Sequence, residues 1–405
     1  MANTFKTTSW MVKETLRHFE NACTFTKYVN KDYQGQFSES TFRPGTTINI
    51  PKPARFAVTS GATASFPDLT EESVALTVSQ FNASFAPTSV EMTTAVSNDQ
   101  FSERYLRPMA IALANQVDKD GLSMVTTSVA NATGTPGTVP NALLTYLTGG
   151  AIIDEHSAPV DDQRSIIVSP MASATIVDAL KGLFHSSSDI EKQYKEGKMG
   201  LAIGSKWSMD QNVATRTVGV ATGTPLVNGA SQTGASLITD GWTNSQTGIL
   251  KAGDLLTIAG VFAVNPVTKV ALSRLQTFVV TADANSGSST GPATLSIYPS
   301  IVTSGTTQTV SASPADNAAI TVIGTGGTTG SSNIIFHKDA FTMVSIPMQT
   351  YGGLDKSAVE KDPDTGIAIR ITQGMDVTND KLLVRADVLY GWSATRPEWA
   401  CRIEG

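Results

Sequence analysis

Apolar residues recur along the chain at two different spacings, one typical of helices and one typical of strands. Residues 7–24 place apolar side chains at helical spacing, which predicts an amphipathic helix near the N-terminus. That stripe consists of Val12, Leu16, Phe19 and Cys23. Within residues 45–95, apolar and polar residues alternate instead, which predicts strands. The alternating apolar residues are Ile48, Ile50, Val74, Leu76, Val78, Val90 and Met92.

The strongest helix signal covers residues 97–128. Ser97 and Gln100 have the spacing of a capping box, and apolar residues follow at helical spacing. Pro108 is expected to kink this helix or to begin its second part, because proline lacks an N–H donor. Gly121 weakens the helix without ending it.

A strand and a helix are predicted next, over Arg164–Val168 and from Ser169 to about Leu180. Ser169 suits the N-cap and Pro170 suits the first helical position. A short helix is expected over Asp189–Glu196.

Charged residues become rare between Ala221 and Ser332. Only seven of these 112 residues are charged: Asp240, Lys251, Asp254, Lys269, Arg274, Asp283 and Asp316. Gly, Ser and Thr with short β-branched runs predict an inserted all-β domain with long loops. Strands are expected again over Phe341–Ile346, Ile367–Ile371 and Lys381–Tyr390. The last has apolar residues on both faces, which predicts burial on both sides.

The segment from Pro51 to Glu72, rich in Pro, Gly, Ala, Ser and Thr, predicts a long exposed hairpin excursion. An excursion of this length is functional or mobile more often than it is a simple connection. Lys52 and Arg55 at its start could pair with acidic groups on a neighbouring molecule, or could serve solubility alone.

Charge narrows the possible functions of the 405-residue chain. Charged residues make up 16%, below the roughly 25% of ordinary soluble domains, as suits a protein that buries surface against its own copies. The net charge is −6, but residues 1–60 hold eight Lys and Arg against four Asp and Glu. This balance argues against a dedicated nucleic-acid reader and leaves a mildly basic N-terminal arm.

Cysteine use and hydropathy favour a reducing cytoplasm. The two cysteines, Cys23 and Cys401, form neither a disulfide framework nor a metal-ligand spacing. We expect neither a signal peptide nor a membrane span, since no long apolar run occurs.

No catalytic constellation is evident. The histidines His18, His156, His185 and His337 are scattered, and surface or packing roles are expected for them. Gly324–Gly330 lacks the spacing of a phosphate-binding loop and predicts a flexible turn. Asp362–Gly366 resembles the opening of a calcium loop, but Gln373 stands where the bidentate Glu belongs, so a turn is expected. Asp154, Glu155, Asp161 and Asp162 are expected to form a solvated acidic loop.

Several segments resemble one known family, the coat proteins of short-tailed Salmonella-type phages. The densest similarity is Tyr390-Gly391 followed by Ala394-Thr395-Arg396-Pro397-Glu398. Phe101–Asn115 is similar to the family's long spine helix, and Arg164–Leu180 to a segment of its central domain. Tyr194, Gly197, Gly200 and Gly204 are spaced as in the segment before its insertion, and Leu250–Asp254 resembles the start of the insertion's β-barrel.

The resemblance implies an α+β chain with the HK-ninety-seven-like tailed-phage capsid fold plus an inserted β-barrel domain. The implied map is an N-terminal arm (1–35), a peripheral domain (36–128) with an extended loop (52–72) and spine helix (97–128), an axial domain (129–220 and 333–380), the insertion (221–332) and a C-terminal strand (381–405) that returns to the peripheral domain.

The implied function is that of a structural major capsid protein, not an enzyme, with no cofactor and no bound metal. It would self-assemble through hexamers and pentamers into an icosahedral shell around double-stranded DNA, with a scaffolding protein and a portal. It would assemble in the host cytoplasm, contact no membrane and escape proteolytic maturation. The candidate inter-subunit contacts are Trp10, Leu16, Phe19, Lys52, Arg55 and Phe56.

Two other functions remain open. A β-rich phage fibre or surface adhesin would suit the low charge, but the helix over 97–128 and the unit at Ser169-Pro170 disfavour it. A carbohydrate hydrolase would need a pair of acids in a cleft, for which only the acidic loop over 154–162 is a candidate.

Overall fold

The computed structural model describes residues 11–16, 23–35, 45–52, 72–94, 102–180, 201–202, 204–350, 357–362 and 365–405. The described residues fall into two compact units. The first lies within Met1–Ile50, Val74–Gly121 and Phe341–Ser393. The second lies within Pro51–Ser73, Leu122–Ala340 and Ala394–Gly405.

The helices differ in type as well as length. Residues 11–16 are helical. Four further α-helices are described: α1 Ser89–Thr94, α2 Arg107–Ser128, α3 Leu143–Glu155 and α4 Pro170–Leu180. A π-helical stretch covers Ser102–Leu106, and 3₁₀ turns cover Phe25–Tyr28, Lys338–Ala340 and Pro397–Trp399.

The strands account for most of the remaining described residues. They are β1 Thr47–Pro51, β2 Ser73–Thr77, β3 Ser79–Phe85, β4 Ala132–Gly134, β5 Arg164–Val168, β6 Leu201–Ala202, β7 Ser205–Met209, β8 Thr215–Thr217, β9 Gly223–Val227, β10 Gly234–Trp242, β11 Leu255–Val264, β12 Ala271–Val280, β13 Ala293–Ile301, β14 Ile320–Val322, β15 Thr329–His337, β16 Phe341–Ser345, β17 Ser357–Lys361, β18 Ala368–Asp376, β19 Lys381–Ala394 and β20 Ala400–Glu404.

The first unit is built around β19. This long strand pairs antiparallel with β18 along one edge and with β3 along the other, and β16 and β17 complete a five-stranded sheet. β1 and β2 form a separate two-stranded sheet. Its inward residues Ile48, Ile50 and Leu76 are buried with Val344, as the alternation predicts.

The predicted long helix is present over its described part, and residues 97–101 lie outside the described residues. The π-helical stretch changes to the α-helix α2 at Arg107, so Pro108 lies in the first turn of α2 and begins the second part of the helix, as expected. α2 continues through Gly121, as expected. The glycine makes room, because a Cβ there would lie 2.8 Å from both Phe25 and Trp392.

The second unit contains a seven-stranded mixed sheet in the order β4-β20-β15-β5-β7-β6, with β8 also paired to β15. β4 runs parallel to β20 and β5 parallel to β7, whereas β15 is antiparallel to both of its long neighbours. Ser169 caps α4 by accepting a hydrogen bond from the Ala172 amide at 3.3 Å. Side chains of α3, α4 and the sheet share one core that includes Tyr146, Ile153 and Ile176.

The strands between residues 223 and 322 form one six-stranded sheet in the order β14-β11-β12-β13-β10-β9. The two outer strands also meet, through the antiparallel bridge Leu226↔Ala319 and a hydrogen bond from the Val227 amide to the Ala318 carbonyl at 3.0 Å. The core of this sheet is apolar and includes Leu237, Trp242 and Phe278. Every regular element described between residues 223 and 322 is a strand. The expected end of the insertion at 332 falls inside β15.

The prediction of a strand at Val90 and Met92 is wrong, because Ser89–Thr94 is α1. Thr88 and Glu91 form a capping box: the Thr88 amide donates to the Glu91 carboxylate at 2.8 Å, and the Glu91 amide donates to the Thr88 hydroxyl at 3.2 Å. This local pairing satisfies helix N-terminal amides and outweighs a short alternating pattern.

The C-terminal prediction needs two corrections. The expected single strand over 381–405 is two strands, β19 and β20, which belong to different sheets. Burial on both faces holds only for the second half of β19, since Leu383 in the first half is 43% exposed.

Candidate functional site

The N-terminal segment is held by a buried carboxylate. Asp118 on α2 accepts hydrogen bonds from the backbone amides of Thr24, Phe25 and Thr26 at 2.6, 3.1 and 3.2 Å. The Thr26 hydroxyl donates to the same carboxylate. These four hydrogen bonds from one short segment fix residues 24–26 against α2.

The hairpin at 52–72 has an ordered base. The Lys52 amide donates to the Glu72 carbonyl at 2.7 Å, and the two side chains form an ion pair at 3.7 Å. The Lys52 side chain is 22% exposed, so it has a partner within its own chain, which the sequence did not reveal.

The other predicted contact residues are mostly outside the described part of the chain. Arg55, Phe56, Trp10 and Phe19 lie outside it, and Leu16 is half-buried in the helical residues 11–16. The structure therefore places two of the six candidates, one at the base of the hairpin and one in the N-terminal segment.

A cluster of four buried charges lies in the second unit. Arg402 and Glu404 on β20 pair with each other, Arg216 on β8 donates to Glu404 at 3.3 Å, and Arg216 also pairs with Asp254 at 2.6 Å. We call Arg216, Asp254, Arg402 and Glu404 the charge cluster. Its two cations and two anions balance, which is how buried charges are tolerated.

The charge cluster joins distant parts of the sequence. Arg402 also donates to the carbonyl oxygens of Thr126, at the end of α2, and of Gly253 at 2.7 and 2.9 Å. Asp254 accepts from the amides of Gly219 and Lys251 at 2.9 and 2.8 Å. The last five residues of the chain thereby hold the strands of the low-charge segment to the seven-stranded sheet.

Burial dominates the electrostatics of this cluster. It raises the pKa of Asp254 above its ordinary value, although the amide hydrogen bonds and Arg216 oppose that rise. Burial also lowers the pKa of Arg402, against the attraction of Glu404. Next to Arg402, burial raises the pKa of the Cys401 thiol to about 12, so this cysteine stays protonated near neutral pH.

A second group of polar contacts, apart from the charge cluster, connects the end of α3 to β12. Arg274 donates to Glu155 at 2.6 Å and to the His156 ring at 2.7 Å, just past the C-terminal end of α3, where a cation is favourable. A cavity of about 80 Å³ lies beside it, with Asn131, His156 and Glu398 in its lining.

The carboxylates expected in one acidic loop are separated by basic partners. Asp154 and Glu155 are the last residues of α3, and they pair with Arg164 and Arg274 respectively. Asp161 instead contacts the buried His337 at 3.3 Å. The prediction of one solvated loop is therefore wrong for Asp154 and Glu155, because nearby arginines draw each carboxylate into a separate ion pair.

The two predicted turns are present, but the one predicted over Gly324–Gly330 is shorter, because Gly330 already lies in β15. Gly324–Gly327 lie in the connection between β14 and β15, and Asp362 accepts hydrogen bonds from Thr365 and Gly366 in the turn between β17 and β18. Among the described residues, no group of three or more His, Cys, Asp or Glu is placed to hold a metal ion. Within the same residues, no helix has the length and apolar character needed to span a membrane.

Sequence reasoning did not find the charge cluster. Arg402 and Glu404 are two residues apart and so share one face of β20, which is the one local signal of their pairing. Arg216 and Asp254 are separated from them by more than a hundred residues, and a single sequence carries no trace of that contact.

Comparison with known proteins gives a match over almost the whole chain. The family model described as "P22 coat protein - gene protein 5" matches residues 1–402. No curated protein matches the sequence.

Several solved structures are similar to this chain at low sequence identity. One is from Mycobacterium phage Che8, with 13% identity and a TM-score of 0.48, covering 94% of this chain and 90% of that one. A second is the capsid of the Cyanophage P-SCSP1u, with 10% identity, a TM-score of 0.44 and coverage of 89% and 84%. A third is a virus-like particle from Pyrococcus furiosus, with 7% identity, a TM-score of 0.39 and coverage of 97% of both chains.

Proposed function

The chain belongs to the P22 coat protein family, and we propose from this premise how a structural major capsid protein of a phage head uses the parts described above. Copies of the chain would join as hexamers and pentamers into an icosahedral shell around double-stranded DNA. The match along residues 1–402 is the observation that carries this proposal.

The fold would be the HK-ninety-seven-like capsid fold of the short-tailed Salmonella-phage type. Its peripheral domain would contain α2, and its axial domain would contain the seven-stranded sheet. The strands over 223–322 would be an inserted β-barrel domain. The bridge between β9 and β14 supports a barrel, because it joins the two outer strands of that sheet.

The inserted domain would support folding of the axial domain. The charge cluster and the joint of Arg274 with Glu155 both tie its strands to residues outside 221–332. Buried charges are costly unless each keeps its partner. The charge cluster therefore favours the one arrangement of these strands and the seven-stranded sheet in which all four charges are paired.

The N-terminal arm and the extended loop would make the contacts between copies. Each has a described part that the chain itself holds, residues 24–26 of the arm at Asp118 and the base of the loop at the Lys52–Glu72 pair. The arm's basic surplus would face DNA or a scaffolding protein, and contacts to DNA would be independent of sequence and sensitive to salt. Assembly would take place in the host cytoplasm, and a portal would complete the head.

Deletion of residues 54–70 tests this proposal. We expect a folded monomer, because the base of the hairpin at Lys52 and Glu72 stays intact, but no stable shells. Sedimentation velocity of the wild-type and deleted proteins would measure the assembled fraction, and circular dichroism would measure folding. Shells of normal size and yield from the deleted protein would contradict the role of the loop.

A further inference from the structure

Four consecutive residues at the end of β19, Tyr390–Ser393, contact three separate parts of the first unit. We call them the C-terminal junction. Neighbouring side chains on a strand point to opposite faces. Tyr390 and Trp392 accordingly face α2, whereas Gly391 and Ser393 face β2.

Towards α2, the junction makes two hydrogen bonds one turn apart. The Tyr390 hydroxyl donates to Asp120 at 2.6 Å, and the Trp392 indole nitrogen donates to the Val117 carbonyl at 3.1 Å. Gly121 leaves the space that the indole occupies, since a Cβ at that position would lie 2.8 Å from the ring. The end of β19 is thus fixed against one face of the long helix.

Trp392 also holds the N-terminal segment. Its ring stacks on Phe25 with centroids 5.1 Å apart and an interplanar angle of 18°. Phe341 contacts Phe25 edge-on at 5.7 Å. Phe25 therefore packs between two aromatic rings, beside the backbone amides that donate to Asp118, and the position of this part of the arm depends on Trp392.

Towards β2, the contact is between backbones. A Cβ on Gly391 would lie 2.3 Å from the Thr77 carbonyl oxygen and 3.1 Å from the Leu76 side chain. Ser393 donates to the Ala75 carbonyl at 3.4 Å. β2 is the strand on which the chain returns from the hairpin excursion, so any side chain at Gly391 must push that strand away.

We propose that the C-terminal junction positions the described parts of the chain that adjoin the segments expected to contact other copies, with Gly391 setting the place of β2, which follows the extended loop, and Trp392 that of residues 23–28 in the N-terminal arm. The proposal rests on the proposed function of those segments. It predicts that a change at the junction impairs assembly beyond its effect on folding. A displaced β2 moves the strand on which the chain returns from the extended loop.

The variant G391A tests the loop side, with G374A as its matched control. Gly374 lies on the neighbouring strand β18, and a Cβ there would meet only Leu383 at 3.9 Å, an ordinary contact. We expect G391A to yield about tenfold fewer shells per folded subunit than G374A, since overpacking against backbone forces a shift that repacking cannot absorb. Folding is measured by circular dichroism and assembly by light scattering. Equal shell yields per folded subunit would overturn the proposal.

A second, less disruptive substitution tests the same proposal if G391A does not fold. S393A removes only the bond to Ala75, and S84A on the exposed face of β3 is its control. We expect S393A to lower the shell yield several-fold relative to S84A, and equal yields would contradict the junction's role.

Failure of the proposed function can be distinguished from failure of this inference. If neither wild-type protein nor G374A forms shells, the proposed function fails. Hydrogen exchange then tests separately whether the junction positions β2. The backbone amides of residues 73–77 are then expected to exchange faster in G391A than in G374A. Equal exchange would show that Gly391 does not position β2.

Discussion

At the scale of single residues, several charged side chains of this protein are buried. Shell proteins need few surface charges, yet Arg402 and Glu404 are fully buried near the C-terminus. Glu404 is compensated by Arg402 on the same strand and by Arg216 from a distant part of the sequence. Such balanced pairs add little stability overall, but they penalise any arrangement in which one partner is missing.

The substitution E404Q tests this reasoning. It leaves Arg402 and Arg216 with the single carboxylate of Asp254, and breaking a buried pair costs about 3–5 kcal/mol of unfolding free energy. The control is E360Q, which removes an ion pair with Lys13 at 3.6 Å on the surface and is expected to cost about 0–1 kcal/mol. Urea denaturation measures both. Equal losses for the two variants would mean that the charge cluster has no special role.

The stability of the first unit is expected to depend on pH through the buried carboxylate of Asp387. Burial favours the neutral form, but hydrogen bonds from Arg370, Gln80 and Arg385 outweigh it and lower the pKa of Asp387. The folded state therefore binds this proton less readily than the unfolded state. The resulting stability is present above pH of about 4 and is lost as the pH falls through the lowered pKa.

The variant D387N is expected to show a shallower loss of unfolding free energy between about pH 5 and pH 2 than the wild type. D162N, which changes an exposed carboxylate in the loop after α3, is the control and should keep the wild-type slope. Urea titrations at a series of pH values provide the measurement. A D387N slope as steep as that of the wild type would show that Asp387 is not the group responsible.

At the scale of elements, local chemistry predicted the helices and strands whose signals lie within a few residues. Ser169 and Pro170 begin α4 as expected, and α2 continues through Gly121. The same rules, applied to Thr88 and Glu91, indicate α1, whereas the alternation of Val90 and Met92 indicates a strand. Two apolar residues are too few to establish a period of two.

The functional elements were harder to foresee because their contacts are distant in sequence. The residues that Asp118 holds lie more than 90 positions away, and Tyr390–Ser393 contacts residues near 25, 76 and 120. The pattern of β19 showed that it is largely apolar but not which elements cover it. A motif such as Tyr390-Gly391 can be recognised by resemblance. Its reason appears only in the folded structure, where a Cβ at Gly391 would lie 2.3 Å from the Thr77 carbonyl oxygen.

At the scale of the whole molecule, the chain has few charges, and hydrogen bonds or ion pairs hold both its N-terminal segment at Asp118 and the base of its hairpin at Lys52. Charged residues make up 16% of the sequence, and several of them are buried in pairs. A surface with so little charge suits a protein that covers much of itself with identical neighbours. Membership of the coat protein family, over residues 1–402, gives these features a common purpose in a phage head.

Electron microscopy of the purified full-length protein at increasing concentration tests that conclusion most directly. A major capsid protein is expected to give closed shells of uniform curvature, in which hexamers and pentamers are visible. Fibres would favour a tail-fibre or adhesin role, and dispersed globules at every concentration would show that the chain does not build a shell. Either of these two results would contradict the function proposed here.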